Sequence, residues 1–300
     1  MNYPLVSLVA GVGAAAGAVA GGLLVRGSTA LPAAAWSVVA WLALAAEMAV
    51  RWSGGLREPG LAASVRLVVV ALSLCPAMSL LGAKRPQHGV WQLIVGSLAV
   101  VLALPVGRAV VVMPGSMPDV HLLAEWFMLA LALVGWMNFV ATRRGLAATL
   151  VTGGQLVLMR PFLPGLAMDA QIANVLGSPA IDCGAVFAGM LGTLLAVFQG
   201  VRRDGLRQAA ARSSHPLAAI VDPPFLALRE TLGAAWALRI AERFDQIAAS
   251  RGWPCRLSFG GLAVSGPDED AAWHRDASRA FTALMRRFVS AAWLRRHAGE

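Results

Sequence analysis

The sequence predicts an all-α polytopic membrane protein of about seven transmembrane helices, followed by a small cytoplasmic α+β domain at the C-terminus. Composition is the first reason: 58% of residues are apolar and 14% are charged, against about a quarter charged in an ordinary soluble domain. Periodic apolar runs are the second, because several approach the roughly 20 residues that cross about 30 Å of hydrocarbon. Charge placement is the third. Of the 16 carboxylates, only Glu47, Glu58, Asp119, Glu125, Asp169 and Asp182 precede residue 201. The chain therefore divides into a transmembrane domain, 1–202, and a charged domain, 203–300.

The first run, Pro4 to Val25, follows Met1, Asn2 and Tyr3 with no basic n-region, so it reads as a retained span rather than a cleaved signal. Within it Gly13, Gly17 and Gly21 make two consecutive GxxxG steps, which put three glycines on one face where a second helix can approach closely. A faint likeness of this stretch to a dinucleotide fingerprint fails, because no strand precedes it.

The next runs are Leu31 to Val50, Leu61 to Leu81, Gly89 to Val106 and Leu122 to Thr142. A sixth, Leu146 to Leu166, carries Gly153, Gly154 and Gln155 at its middle and Arg160-Pro161 near its end, a pattern that predicts a broken, re-entrant or short segment. The seventh is Gly184 to Val201. The outer connections Gly107 to His121 and Pro161 to Cys183 are rich in Pro and Gly and predict irregular backbone.

Loop charge sets the orientation. One set of alternate loops carries Arg26, then Lys84 and Arg85, Arg143 and Arg144, and Arg202, Arg203 and Arg207. The other set, with Arg51, Arg57, Arg108 and Arg160, is partly balanced by carboxylates. The richer set belongs inside, which places the N-terminus outside and the tail in the cytoplasm. Lys84 is the only lysine, and that Arg bias with the high Ala content matches a GC-rich bacterial genome, hence a bacterial inner membrane.

In the tail, Asp222-Pro223-Pro224 reads as a helix start, and Phe225, Leu228, Leu232, Trp236, Ile240, Phe244 and Ile247 form one apolar stripe to about Arg251. Residues Arg256 to Val264 predict a hairpin turning at Gly260-Gly261. Ser265 with Asp268 resembles a capping box that opens a last helix, with Trp273, Ala277, Phe281, Leu284, Phe288 and Ala292 on one face. The two stripes can pack on each other or lie on the inner leaflet, and the hairpin between them favours mutual packing.

Glu47, Arg66, Glu125 and Arg160 are ionisable residues inside or near span ends, all toward the outer leaflet, and they form the candidate polar site. Their bland reading is snorkelling. Cys75-Pro76 with Met78 resembles the Cys-Pro pair of copper-pumping ATPases, but the nucleotide and phosphorylation domains of such pumps are missing. His121 and Glu125 lie one turn apart and suggest a protonatable pair. Asp268-Glu269-Asp270 contains a DxD, which at a helix start is accounted for by the helix dipole.

The cysteines, Cys75, Cys183 and Cys255, have neither disulfide nor zinc spacing. No GxSxG, HExxH or P-loop occurs, so no catalytic residue, metal or cofactor is assigned. The net charge of +9 sits mostly at span ends and points to the lipid bilayer rather than nucleic acid. The sequence favours a non-catalytic membrane subunit or scaffold whose tail meets a cytoplasmic or membrane protein partner. The alternative is a small-solute transporter or channel that uses the outer charged cluster.

Overall fold

The computed structural model describes residues 2–83, 88–163, 178–202, 215–265 and 271–298. The Asp268-Glu269-Asp270 cluster, the acidic half of the Ser265 cap, most of the second outer connection and the junction between the two predicted domains lie outside the described residues. The chain is mostly helical, with a single two-stranded sheet among the described residues.

The helices of the N-terminal part are α1 (Tyr3–Leu24), α2 (Leu31–Trp52), α3 (Pro59–Leu81), α4 (His88–Gly107), α5 (Leu122–Val140), α6 (Gly145–Met159) and α7 (Pro179–Val201). Six of them, all but α6, are long and apolar enough to cross a membrane. A proline in the first turn starts α1, α2, α3 and α7, where its fixed φ suits the helix and its missing N–H costs nothing. Outward faces are apolar: Val9, Leu93, Val111 and Leu123 are each at least 65% exposed. Water would not tolerate so continuous an apolar belt, and hydrocarbon does.

Three boundaries differ from the sequence expectation. Helix α7 begins at Pro179 instead of Gly184, because the Ser178 hydroxyl accepts from the Ile181 N–H at 3.4 Å and Pro179 takes the first helical position. That extra turn draws Asp182 into the helix. The stretch after Gly107 is not irregular at first, since Arg108–Val112 continues α4 as a π-turn.

The third concerns α6, which is short as expected, 15 residues, but runs unbroken through Gly153, Gly154 and Gln155 and ends in a 3₁₀ turn, Arg160–Phe162. It lies antiparallel to α7, with Gly154 beside Ala185 and Gly192 beside Ala147. A Cβ on Gly154 would collide with the Ala185 carbonyl oxygen, so this glycine serves close helix approach. Gln155 donates through Nε2 to the carbonyl and hydroxyl oxygens of Ser73, at 3.1 and 3.0 Å, and ties α6 to α3.

Helices α1, α2, α3, α5, α6 and α7 pack in succession, and α7 closes back onto α1. The result is a ring. Helix α4 stands outside it against α3, where Trp91 donates to the Met78 carbonyl at 2.9 Å.

The C-terminal part comprises α8 (Pro216–Leu232), α9 (Ala234–Arg251), β1 (Cys255–Ser258), β2 (Gly261–Val264), α10 (Ala271–Met285) and α11 (Ala291–His297). The first tail helix starts at Pro216, capped by the His215 ring, which accepts from the Leu217 N–H at 3.2 Å. Pro223 and Pro224 therefore sit inside it. The carbonyls they leave without a donor belong to Ala219 and Ile220, which are exposed, so water can take the donor's place.

Asp222, expected as a cap, accepts the Leu262 N–H at 2.7 Å and holds the hairpin. The long helix expected to run on to Arg251 breaks at Gly233, whose φ of +88° suits glycine and whose missing side chain admits Asn138. The hairpin pairs Ser258 with Gly261, so its turn is Phe259-Gly260, one residue earlier than expected. The last helix also splits, because Val289 bridges to Ser28 and Ser290 caps α11 through a 3.2 Å bond from the Trp293 N–H.

The two stripes share one buried core in which Phe225, Phe244, Phe281, Met285 and Trp293 are at most 2% exposed. This unit rests on one end of the bundle. Trp236 donates to the Leu80 carbonyl at 2.7 Å, Asn138 to the Leu232 carbonyl at 2.9 Å, and Ser290 N–H to the Gly27 carbonyl at 2.7 Å. The N-terminus of α1 lies at the other end.

Gly154→Leu is expected to destabilise the detergent-solubilised chain by at least about 1–3 kcal/mol through overpacking. Gly153→Ala, which meets open space, is expected to hold or raise the unfolding temperature. In the tail, burial raises the Asp222 pKa while the Leu262 hydrogen bond pulls it partly back. Its folded value lies above the unfolded one, so its contribution is fullest below the ordinary carboxylate range and is lost as pH rises through the folded value. Asp222→Asn should flatten that dependence, read by hydrogen exchange at the Leu262 amide, and Asp222→Leu should speed that exchange at every pH.

Candidate functional site

Charged side chains meet at the end of the bundle remote from the tail. Glu47 lies near the C-terminus of α2, Arg66 at the start of the third turn of α3, Asp182 in the first turn of α7 and Arg160 just past α6. Arg66 Nε donates to Glu47 Oε1 at 2.7 Å and Oε2 at 2.9 Å, and its Nη2 reaches Asp182 Oδ2 at 3.1 Å. Arg51 Nε donates to Glu47 Oε1 at 2.9 Å. Arg160 Nη1 bonds both Asp182 Oδ1 and the Val157 carbonyl at 2.6 Å.

The result is a ladder, Arg51, Glu47, Arg66, Asp182, Arg160, that joins α2, α3, α6 and α7. The Glu47 side chain is fully buried and that of Arg66 is 5% exposed. Burying such charges is costly, and the cost is offset only when each has a partner and good geometry. Here every carboxylate oxygen accepts at least one guanidinium N–H. Asp182 gains further from its place at the N-terminus of α7, where the helix dipole favours negative charge.

Of the expected polar site, Glu47, Arg66 and Arg160 come together and Glu125 does not. Glu125 sits half-exposed in the first turn of α5 and forms no ion pair among the described residues. His121 caps the same helix, its Nδ1 accepting from the Leu123 N–H at 3.2 Å.

Gly13, Gly17 and Gly21 lie along α7. A Cβ on each would stand 3.5 Å from Met190 Sδ, 3.1 Å from Leu194 Cδ2 and 3.6 Å from Val197 Cγ2. Cys75 is buried and its thiol donates to the Ala71 carbonyl at 3.5 Å. Among the described residues no three acidic, His or Cys side chains are grouped to hold a metal ion.

The ring of helices lines a partly open chamber of about 360 Å³. Its walls are chiefly Ala, Gly, Val and Leu, with Ser37, Ser73, Thr152, Gln155 and Thr193 as polar interruptions. Leu44, Val69 and Leu158 line the end nearer the ladder. They stand three residues before Glu47, three after Arg66 and two before Arg160, so the chamber stops about one turn short of the ladder. No ladder side chain lines it. At the opposite end Asn138, Arg144 and Thr231 of α8 complete the lining.

Sequence reasoning missed Asp182, Arg51 and Arg144. Charge balance was the available signal for Asp182: two arginines in apolar runs, Arg66 and Arg160, need more acid than Glu47 supplies. Arg51 and Arg144 were read only as loop charges. Comparison with known protein families, with curated proteins and with solved structures finds no match for this chain.

Glu47→Ala leaves Arg66 and Arg51 short of a counter-charge in a buried site, and is expected to cost about 3–5 kcal/mol. Glu125→Ala is expected to stay within about 0.5 kcal/mol. Thermal unfolding in mild detergent measures both.

Proposed function

We propose that the chain is a non-catalytic, seven-crossing component of a bacterial inner membrane whose helical ring houses a small apolar or amphiphilic molecule drawn from the bilayer. The observation that carries this reading is the chamber of about 360 Å³, within the range of about 300–1,000 Å³ common to small-molecule sites. Its lining is chiefly apolar, so water gains little along most of it and a hydrocarbon chain gains burial. Helix α6 with its 3₁₀ turn acts as the seventh crossing, since it runs from the tail end beside Gly192 to the ladder end beside Asp182.

The ladder closes the outer end of the ring and the tail unit closes the inner end. Arg26, Arg143 and Arg202 share the tail's end of the bundle, which supports a cytoplasmic tail and an external N-terminus. A polar solute route through Glu47 or Arg160 is disfavoured by the hydrophobic floor of Leu44, Val69 and Leu158. A second reading, that the tail recruits a protein partner, is favoured by the exposed arginines Arg239, Arg243, Arg275 and Arg279.

Native mass spectrometry of the chain in mild detergent is expected to show a retained alkyl-chain molecule, and Ala148→Phe, which fills the chamber, is expected to lose it without unfolding. Failure of the wild-type chain to retain or take up any alkyl chain would contradict the proposal. Cysteine labelling of intact cells should reach Ser116→Cys from outside and Arg279→Cys only after lysis.

A further inference from the structure

Arg144 differs from the paired arginines of the ladder. It stands at the N-cap of α6 and lines the tail end of the chamber. Its backbone N–H donates to the Thr142 hydroxyl at 3.1 Å. Its guanidinium makes no hydrogen bond and no ion pair among the described residues, whereas Arg51, Arg66 and Arg160 each hold a carboxylate.

Glu230 is the carboxylate whose field reaches Arg144, and both of its oxygens are already engaged. Oε2 accepts the Arg143 N–H at 3.0 Å, and Oε1 accepts Arg229 Nε and Nη2 at 3.1 and 2.8 Å. Gly200 makes the room: a Cβ there would stand 3.2 Å from Arg144 Nη2.

A guanidinium does not escape burial by losing its proton. Arg144 is partly buried, and left unpaired there it is costly; the group that best relieves it is an anion with two oxygens, a carboxylate or a phosphate, held in a bidentate fork. The N-terminus of α6 adds to the same field, since it has no side-chain cap and Ala147 and Ala148 bring its first turn to the chamber wall. From there the chamber extends to Leu158, fourteen residues along the helix, a distance of about 21 Å. At about 30 Å³ for each water-sized unit, its volume takes on the order of a dozen chain carbons.

Resting on the chamber reading above, the geometry points to a single-chain anionic amphiphile as the occupant, its acid head on Arg144 and its alkyl chain directed toward the hydrophobic floor. The head chemistry is that of a carboxylate or a phosphate monoester, and the apolar chain is required.

The test uses the full chain in mild detergent with four probes: myristate, tetradecyl phosphate, tetradecanol and inorganic phosphate. Affinities are read by native mass spectrometry and by the shift in unfolding temperature. Either acid head should bind at least roughly tenfold more tightly than the alcohol, and inorganic phosphate should not bind at millimolar concentration. Arg144→Gln should abolish the preference for acid over alcohol while leaving alcohol binding intact. Arg144→Lys should retain part of that preference, which separates loss of charge from loss of fold.

Preference for one acid over the other identifies the head group. Equal binding of acid and alcohol to the wild-type chain, or an undiminished preference in folded Arg144→Gln, would overturn this inference while leaving the chamber reading in place. Binding of no alkyl probe overturns both.

Discussion

Arg66 shared between Glu47 and Asp182 is the interaction on which the rest of the bundle depends. Hydrocarbon gives helices no hydrophobic reason to associate, so close packing and polar contacts must hold them. The ladder supplies the polar part at one end, where a single guanidinium ties α2 and α3 to α7 and Arg160 brings in the end of α6. Each partner is costly to bury alone, and the two carboxylates share the task of offsetting one guanidinium. With four helices fixed there, Leu44, Val69 and Leu158 are brought together as a floor one turn below.

The opposite end is held by a different device. The tail unit places donors and acceptors against the bundle's loops: Trp236 on the Leu80 carbonyl, Asn138 on the break at Gly233, and Ser290 on the Gly27 carbonyl. Between the two ends the helices meet through small residues, Gly17 against Leu194 and Gly154 against the backbone at Ala185. Close backbones on one side of the ring and alanine-lined walls elsewhere leave the central space unfilled. Charge is satisfied at the ladder end and left unsatisfied at Arg144, so the chamber is polarised along its length.

The membrane-crossing helices were legible because apolar length is a strong signal, and six of them meet it. Helix α6 was legible as a short segment, and it ends at Met159, before Arg160-Pro161; a break at Gly153-Gly154 does not occur, because in place Gly154 is what lets α7 approach. Glu47, Arg66 and Arg160 were legible as charges in an oily context, but sequence alone does not say which charges face one another. Asp182 was hidden by a boundary error of five residues at the start of α7. In the tail, the stripe from Phe225 to Phe244 was correct as a buried face. Its breaks at Gly233 and near Val289 were not legible, because both are imposed by contacts with Asn138 and Ser28, far away in sequence. Arg144 resembled a loop charge because nothing local marks it as facing a chamber.

The shared guanidinium is tested most directly by a double-mutant cycle of Glu47→Gln and Asp182→Asn, followed by unfolding in mild detergent. Because each carboxylate still satisfies Arg66 when the other is neutralised, the double variant should be less stable than the sum of the singles by about 1 kcal/mol or more. Additivity within about 0.3 kcal/mol would show that the two carboxylates act independently, and that the ladder does not fix the ring.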